Sequence, residues 1–187
     1  MDIRKKRIKV VCCYAREDQQ FLHELNKHLA SLQRVGDITL WADIHIFPGT
    51  EWERELHTRL DQAQIILLLV SATFIRSNYC YHQEMQRALH RHQRREASVI
   101  PVILTPVMWE ITPLGELQAL PKDAKPITTW PNRDEAYKNV ADYSSKAFFS
   151  YPVTIQKIHK TEQIPRLTDA FQNASSTANR YKGKPSA

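Results

Sequence analysis

The chain contains only four glycines, and this scarcity limits the kinds of nucleotide site that it can form. Gly36, Gly49, Gly115 and Gly183 are too far apart to form a G-x-G-x-x-G turn or a Walker phosphate loop. The sequence also has no Gly-x-Ser-x-Gly elbow after a predicted strand. Neither a Rossmann dinucleotide site nor an α/β-hydrolase serine is therefore indicated.

Long apolar runs and cysteines are equally sparse. No run approaches the ~20 apolar residues that a membrane helix needs, and the charged N-terminus has no apolar core behind it, unlike a secretory signal. Of the three cysteines, Cys12 and Cys13 are adjacent, and on a strand they would point to opposite faces. We expect no disulfide framework, no membrane contact and a reducing, cytoplasmic location.

The net charge of +6 is unevenly distributed along the chain. Residues 1–9 carry five Lys or Arg and residues 150–187 carry six, whereas residues 10–149 carry 15 basic and 17 acidic residues. The core therefore does not indicate a nucleic-acid surface. The basic ends could contact polyanions or could be solvated tails. The eight histidines are scattered, so no metal site is predicted.

Short apolar runs alternate with segments of helical periodicity. Strands are predicted at 8–14, 38–41, 64–70, 99–104 and, weakly, 126–129. The unbroken third run predicts a central strand buried on both faces, and Pro101 predicts an edge position or a strand end for the fourth. Helix caps are predicted at Asp18, at the box Thr50–Glu53, at Ser77 or Asn78, and at Asn132–Glu135. This alternation predicts βαβ units in a doubly wound parallel sheet.

The periodic pattern fades after Pro152. Residues 173–187 are rich in Ser, Thr, Asn and Lys, a composition typical of disorder. We therefore predict one domain over residues 8–149. Residues 150–187 would form a basic C-terminal extension that acts as a partly disordered linker or tail.

One carboxylate, Glu84, falls near the start of the helix that follows the third strand. Ligands in open α/β sheets bind at the carboxyl ends of parallel strands, so Glu84 lies where chemistry could occur. A Glu in a first helical turn can equally be a solvated residue favoured by the helix dipole. The loop 43–50 is unusual because Ile44, Ile46 and Phe47 are apolar. They could mark a binding surface or cover the sheet edge.

The order and spacing of these segments resemble a bacterial Toll/interleukin-1 receptor (TIR) domain over about residues 8–149. The motifs that carry the resemblance are Val11–Asp18, Trp41-Ala42-Asp43, Pro48-Gly49 with Trp52, Ile66–Ser71, Ser77–Cys80 with Glu84, Ile100–Leu104, Leu117–Pro121 and Trp130. The resemblance implies a flavodoxin-like, doubly wound, five-stranded parallel sheet of order 2-1-3-4-5 with helices on both faces.

The resemblance also implies an activity. Many TIR domains cleave NAD⁺ into nicotinamide and ADP-ribose or a cyclic ADP-ribose isomer, and others only assemble signalling complexes. In the enzymatic members the key residue is a Glu on the third helix, which Glu84 matches. The implied function is an NAD⁺ glycohydrolase that serves anti-phage defence, with NAD⁺ as substrate and no cofactor. The alternatives are a non-enzymatic adaptor acting through TIR–TIR contacts and a nucleoside-processing enzyme such as a deoxyribosyltransferase.

With Glu84 as the catalytic residue, the substrate is expected to contact Tyr14, Ala15, Trp41, Asp43, Phe47, Ser71, Cys80 and Tyr81. Two positions depart from the family pattern. Cys13 replaces the usual strand-end Ser, and Cys80 stands where some NAD⁺-cleaving members have a Trp. Tyr79 or Tyr81 could stack on the nicotinamide, or both could pack inward. Asp43 could polarise a ribose hydroxyl or only fix its loop.

The loop before the second helix often packs on a neighbouring domain in the resembled family, where two protomers complete the active site. Here the assembly loop comprises Ile44, Ile46, Phe47, Pro48 and Gly49. Head-to-tail contacts of this kind do not close and grow open filaments. The resemblance therefore implies self-association. Residues 150–187 are too few for a sensing domain, so either a separate sensor protein supplies the trigger or the chain is a fragment of a longer protein.

Overall fold

Four parallel strands form the centre of the molecule. The computed structural model describes residues 7–42, 51–77 and 80–158. The strands are β1 (Ile8–Cys13), β2 (Ile38–Trp41), β3 (Ile65–Val70) and β4 (Ser98–Ile103). They pair in the order β2-β1-β3-β4, and every pairing is parallel. The order of these four strands is the predicted one.

The predicted fifth strand is wrong, because a 3₁₀ turn occupies Ile127–Thr129. The Thr129 hydroxyl donates a hydrogen bond to the Pro126 carbonyl at 2.8 Å. Local side-chain bonds of this kind compete with pairing in a sheet. Beside β4, Leu120 forms an isolated parallel bridge with Val102. Over the described ranges the sheet therefore has four strands, not five.

Strand β4 lies at the edge of this sheet, in agreement with the prediction from Pro101. The Pro101 carbonyl accepts a hydrogen bond from the Leu120 N–H at 2.8 Å, so this residue directs its backbone away from β3. Since proline has no N–H to donate, an outward-facing position on an edge strand costs no ladder hydrogen bond.

The helices connect the strands across both faces of the sheet. They are α1 (Gln19–Arg34), α2 (Trp52–Gln62), α3 (Ala72–Arg76), α4 (Gln86–Gln93) and α5 (Arg133–Ile158). A π-helical segment, Cys80–Met85, leads directly into α4. Neither α3 nor the π-helical segment is predicted by the apolar periodicity. The short helix α3 depends on a cap, since the Ser71 Oγ accepts a hydrogen bond from the Phe74 N–H at 3.0 Å.

Two apolar cores flank the sheet, and successive residues of β3 alternate between them. Ile65, Leu67 and Leu69 pack with residues of α1 and α5, whereas Ile66, Leu68 and Val70 pack with residues of α2, α3 and α4. All six β3 residues are buried, which confirms the predicted central strand. Cys12 and Cys13 fall in different cores, as their adjacency on a strand predicts.

The predicted helix caps have different outcomes. Asn132 confirms its prediction, because its Oδ1 accepts a hydrogen bond from the Asp134 N–H at 3.0 Å. The cap predicted at Asp18 is wrong, because its side chain makes no capping bond to α1. Glu51 precedes α2 without a side-chain cap, and Thr50 of the predicted box lies outside the described residues. Helix α1 stops before Gly36, which adopts φ +76°, a conformation that glycine tolerates best.

The end of α5 lies beyond the predicted end of the periodic elements. Contacts divide the chain into one compact unit that reaches Ile155 and a second unit from Gln156 onward. The domain boundary between residues 149 and 150 stays a prediction. Among the described residues, no helix is both long enough and apolar enough to cross a membrane.

Candidate functional site

A cleft opens at the carboxyl ends of β1 and β3. Strand β1 pairs with β2 on one side and β3 on the other, so the chain direction around the sheet reverses between β1 and β3. Ligands of open α/β sheets bind at such switch points. The cleft encloses about 310 Å³ and is lined by Tyr14, Ala15, Arg16, Glu17, Trp52, Thr73, Arg76, Ser77, Cys80 and Glu84. Its volume is at the low end of the range of small-molecule sites.

The π-helical segment brings two of the predicted site residues into this cleft. Cys80 begins the segment and Glu84 is its fifth residue. The π-helix, with its wider i→i+5 turns, is rare in proteins. Where it does occur, it is frequently part of a functional site. The Cys80 N–H donates to the Ser77 Oγ at 3.2 Å, as the predicted cap requires. The Cys80 Sγ lies 3.5 Å from the Tyr14 carbonyl oxygen. These contacts fix the segment against the end of β1.

Glu84 is the buried carboxylate of the cleft, since only 4% of the residue is exposed. Glu residues are almost never fully buried unless they are paired, so burial alone distinguishes Glu84 from a solvated first-turn residue. A carboxylate in a site with restricted water acts more strongly on nearby charge than one on the surface. Its position at the switch point makes Glu84 the strongest candidate for chemistry in the cleft.

The rim of the cleft carries both signs of charge. Arg16 and Glu17 belong to a 3₁₀ turn that directly follows β1, and Arg76 ends α3. All three are exposed. Trp52, the first residue of α2, is 36% exposed at the same cleft. The cleft thus combines a buried carboxylate, two arginines from separate segments and one accessible indole.

A buried hydrogen bond lies beside the cleft and links its two arginine-bearing segments. The Ser71 Oγ donates to the Asp18 Oδ2 at 2.5 Å. Asp18 is 7% exposed and Ser71 is 2% exposed. Burial raises the pKa of the Asp18 carboxyl, and the hydrogen bond from Ser71 opposes that rise.

The raised pKa of Asp18 predicts a pH dependence of stability. The folded state holds the proton more tightly than the unfolded chain, so ionisation of Asp18 costs free energy of folding. In the Asp18→Asn variant this cost is absent. We expect the variant to gain stability relative to the wild type as the pH rises from the unfolded pKa through the raised folded pKa. Urea unfolding at a series of pH values measures this difference, and a difference that does not change with pH would contradict it.

The structure brings four of the predicted site residues together, because Tyr14, Ala15, Cys80 and Glu84 all line the cleft. Two predicted residues are not brought into the cleft. Ser71 is buried beside Asp18, and Trp41 packs under the Arg59 guanidinium at 5.7 Å from the ring centroid. The remaining predicted residues lie outside the described part of the chain: Asp43, Ile44, Ile46, Phe47, Pro48, Gly49 and the Tyr81 side chain.

The candidate list from the sequence omits several residues of the cleft, namely Arg16, Glu17, Trp52, Thr73, Arg76 and Ser77. Some of these residues could have been found from their positions in the sequence. Arg16, Glu17 and Thr73 follow the ends of adjacent parallel strands, where side chains from both strands meet. Arg76 has no such signal, because the short helix that carries it is absent from the predicted elements.

Comparisons with known proteins place this fold in a family. The TIR_2 family model, described as TIR domain, matches residues 10–140. The chain is 47% identical to the uncharacterized protein y4lF of Sinorhizobium fredii over 128 residues, which are 68% of this chain and 40% of that protein. It thus spans less than half the length of this curated relative.

Solved TIR structures resemble the chain more distantly. The TIR domain of the Toll-related receptor TRR-2 from Hydra magnipapillata is 22% identical, with a TM-score of 0.48 over 59% of this chain and 81% of that one. The TIR domains of the activated Roq1 resistosome, which recognizes the pathogen effector XopQ, are 16% identical, with a TM-score of 0.47 over 91% and 99% of the two chains. The family model carries the assignment, and the chain belongs to the TIR domain family.

Proposed function

We propose that this protein is an NAD⁺ glycohydrolase that cleaves the bond between nicotinamide and ribose. The observation that carries the proposal is Glu84, a buried carboxylate in the cleft at the switch point of the sheet. Membership of the TIR family supports the proposal, and in the resemblance read from the sequence Glu84 matches the key Glu of the enzymatic members. The expected biological setting is a defence effector that depletes NAD⁺.

The reaction needs a group that stabilises positive charge. As the C–N bond to ribose breaks, the bonding electrons leave with the nicotinamide ring nitrogen, and the ribose carbon becomes oxocarbenium-like. Nicotinamide departs as a neutral molecule, so this step needs no acid. The Glu84 carboxylate would hold the ribose hydroxyls and stabilise the developing cation. Water then adds to the ribose carbon and loses a proton, which gives ADP-ribose; attack by an adenine nitrogen would give a cyclic isomer.

The residues at the rim of the cleft suit the adenosine diphosphate part of NAD⁺. Arginine guanidinium groups bind phosphate oxygens with two parallel hydrogen bonds, and Arg16 and Arg76 line the cleft from separate segments. We assign these two residues to the diphosphate of NAD⁺. The Trp52 indole provides an accessible aromatic face at the same cleft, and such faces stack readily on nucleobases.

The direct test is incubation of the full chain with NAD⁺, followed by chromatography of the products. The proposal expects release of nicotinamide together with an equal amount of ADP-ribose or its cyclic isomer. Heat-denatured protein serves as the control for spontaneous hydrolysis. Intact NAD⁺ after long incubation with folded, concentrated protein would overturn the proposal.

Self-association gives a further prediction, which concerns the assembly loop. If two protomers complete the site, specific activity should rise with protein concentration. Phe47→Asp would place a charge in an apolar contact, where burial of an unpaired charge is costly. This variant is expected to lose the concentration dependence and to retain only the activity of the most dilute wild-type protein. A dilution series measures both proteins. Equal and constant specific activity in the two would indicate a self-contained monomeric site.

The alternative function, a non-enzymatic adaptor, is favoured by a different observation. Met108 and Ile111 are 70% and 78% exposed in the segment after β4. Two accessible apolar side chains so close in sequence are typical of a contact surface. An adaptor would bind other TIR domains and release no nicotinamide, so the NAD⁺ assay separates the two functions.

A further inference from the structure

We propose that the buried Asp18–Ser71 hydrogen bond is a positioning tie that sets the distance between the two arginine-bearing walls of the cleft. The proposal rests on the proposed function, since it assigns the walls to the diphosphate of an adenine dinucleotide. Ser71 was expected to contact substrate, and the tie gives it a different role. Asp18 and Ser71 would act through Arg16 and Arg76 and would not touch the ligand.

The geometry couples each partner directly to one wall. Asp18 ends the 3₁₀ turn Arg16–Asp18, whose first residue lines the cleft. Ser71 is the N-cap of α3, and Arg76 is the last residue of that helix. The Ser71 Oγ takes part in both contacts, because it donates to Asp18 at 2.5 Å and accepts from the Phe74 N–H at 3.0 Å. One hydroxyl therefore joins the turn after β1 to the first turn of α3.

The pairing of β1 with β3 brings the two segments together, and the tie adds a side-chain bond beyond the strand ends, close to the residues that carry the two arginines. Both arginine side chains are exposed, so their positions depend on the backbone segments that carry them. The segments are 53 residues apart in sequence at the tie. A ligand that spans both walls needs them at a fixed separation, because a shift of one wall weakens the charge-assisted hydrogen bonds that its arginine makes to the ligand. Burial of Asp18, at the expense of its solvation, is consistent with such a role.

The test uses three variants of the full chain and the affinity for ADP-ribose, which contains the diphosphate and is not cleaved by the proposed reaction. Asp18→Ala removes the acceptor and keeps the α3 cap, whereas Ser71→Ala removes both contacts. Asp18→Asn removes the charge but retains an acceptor oxygen. Titration calorimetry gives the dissociation constant and the stoichiometry, and NAD⁺ kinetics give KM and kcat separately.

We expect Asp18→Ala and Ser71→Ala each to weaken ADP-ribose binding about tenfold or more, with the stoichiometry unchanged. The KM for NAD⁺ should rise in parallel while kcat changes less than about twofold. Asp18→Asn should bind at least as tightly as the wild type. Electrostatics alone predicts the opposite result for Asp18→Ala, because removal of a carboxylate beside the cleft should favour the binding of an anion. Weaker binding by Asp18→Ala would therefore show that the arginines are displaced and that the change of charge is not the cause.

Two further measurements distinguish the loss of the Asp18–Ser71 bond from a general destabilisation of the fold. In the double variant Asp18→Ala/Ser71→Ala, affinity should fall no further than in the weaker-binding single variant, since the same Asp18–Ser71 bond is already lost in each single variant. Thr112→Ala is the matched control. It removes the N-cap of the 3₁₀ turn Pro113–Glu116, where the Thr112 Oγ1 accepts from the Leu114 N–H at 3.3 Å, and Thr112 does not line the cleft. ADP-ribose affinity should be unchanged in this control.

The results that overturn the tie are distinct from those that overturn the enzyme. Wild-type affinity in Asp18→Ala, additive losses in the double variant, or a loss of stoichiometry without a change in affinity would each refute the tie. A wild-type protein that does not bind ADP-ribose would refute it too. The proposed function fails instead if the wild type releases no nicotinamide from NAD⁺. ADP-ribose titration still tests the tie in that case.

Discussion

Glu84→Gln is expected to lower the rate of nicotinamide release from NAD⁺ by at least ~10²-fold, the scale observed when a preorganised electrostatic group is removed. Glutamine keeps the size and most of the helix propensity of Glu84 but cannot stabilise a cation with a full negative charge. Since the substitution takes a charge out of a buried position, the variant should still melt cooperatively near the wild-type temperature. Initial rates at saturating NAD⁺ measure the effect.

Two control variants test whether the loss of activity is specific to the carboxylate of Glu84. Glu17→Gln removes an exposed carboxylate from the same cleft, and we expect a loss below about tenfold because water screens that charge. Glu135→Gln makes the same change in the exposed first turn of α5 and should have no effect. If Glu84→Gln were as active as Glu135→Gln, Glu84 would not be the catalytic residue.

Arg91→Met is expected to give the largest loss of stability among the charged residues. Arg91 is 9% exposed, and its Nη1 donates to the Leu60 carbonyl and, at 2.8 Å, to the Ala63 carbonyl at the end of α2. Its Nη2 donates to the Glu96 carbonyl at 3.2 Å. Helix ends leave such carbonyls without partners. Methionine keeps the apolar stem but removes the donor to the Ala63 carbonyl and leaves the Leu60 carbonyl only the Ala63 N–H at 3.3 Å, so we expect a loss of about 3 kcal/mol.

The matched control for this prediction is Arg94→Met. The Arg94 Nε lies 2.7 Å from the Glu96 Oε1, but the Arg94 side chain is 62% exposed, and exposed pairs contribute less than about 1 kcal/mol. Chemical unfolding of both variants gives the comparison. Equal free energies of unfolding would mean that the carbonyls of α2 find other partners when Arg91 is absent.

The elements of the fold were predictable from the sequence where burial of apolar residues alone determines them. The unbroken apolar run of β3 is such a case, and the prediction made from it is confirmed. The predictions that failed depend on partners distant in sequence or on local competition. Asp18 is of a residue type favoured at helix caps, but its carboxylate accepts a hydrogen bond from Ser71 beside the cleft. Ile127–Thr129 consists of β-branched residues, which favour strands, yet local hydrogen bonds close it into a turn.

The candidate site was predictable only in part, for a similar reason. Tyr14 and Ala15 follow β1 and Cys80 precedes Glu84, so strand ends and the family resemblance lead to them. The burial of Glu84 is set by the π-helical segment, which apolar periodicity does not reveal. Arg76 reaches the cleft only because Ser71 caps a five-residue helix. Charged rim residues such as this one carry no periodic signal, although they determine which ligand the cleft can hold.

Proton NMR of NAD⁺ in paired samples of wild type and Glu84→Gln tests the central claim most directly. Both proteins are used at the same high concentration, so that any self-association is complete in each. We predict that the signals of the ribose-bound nicotinamide of NAD⁺ disappear in the wild-type sample while those of free nicotinamide grow in, and that the Glu84→Gln sample stays unchanged over the same period. Unaltered NAD⁺ in both samples, or equal cleavage in both, would contradict the account.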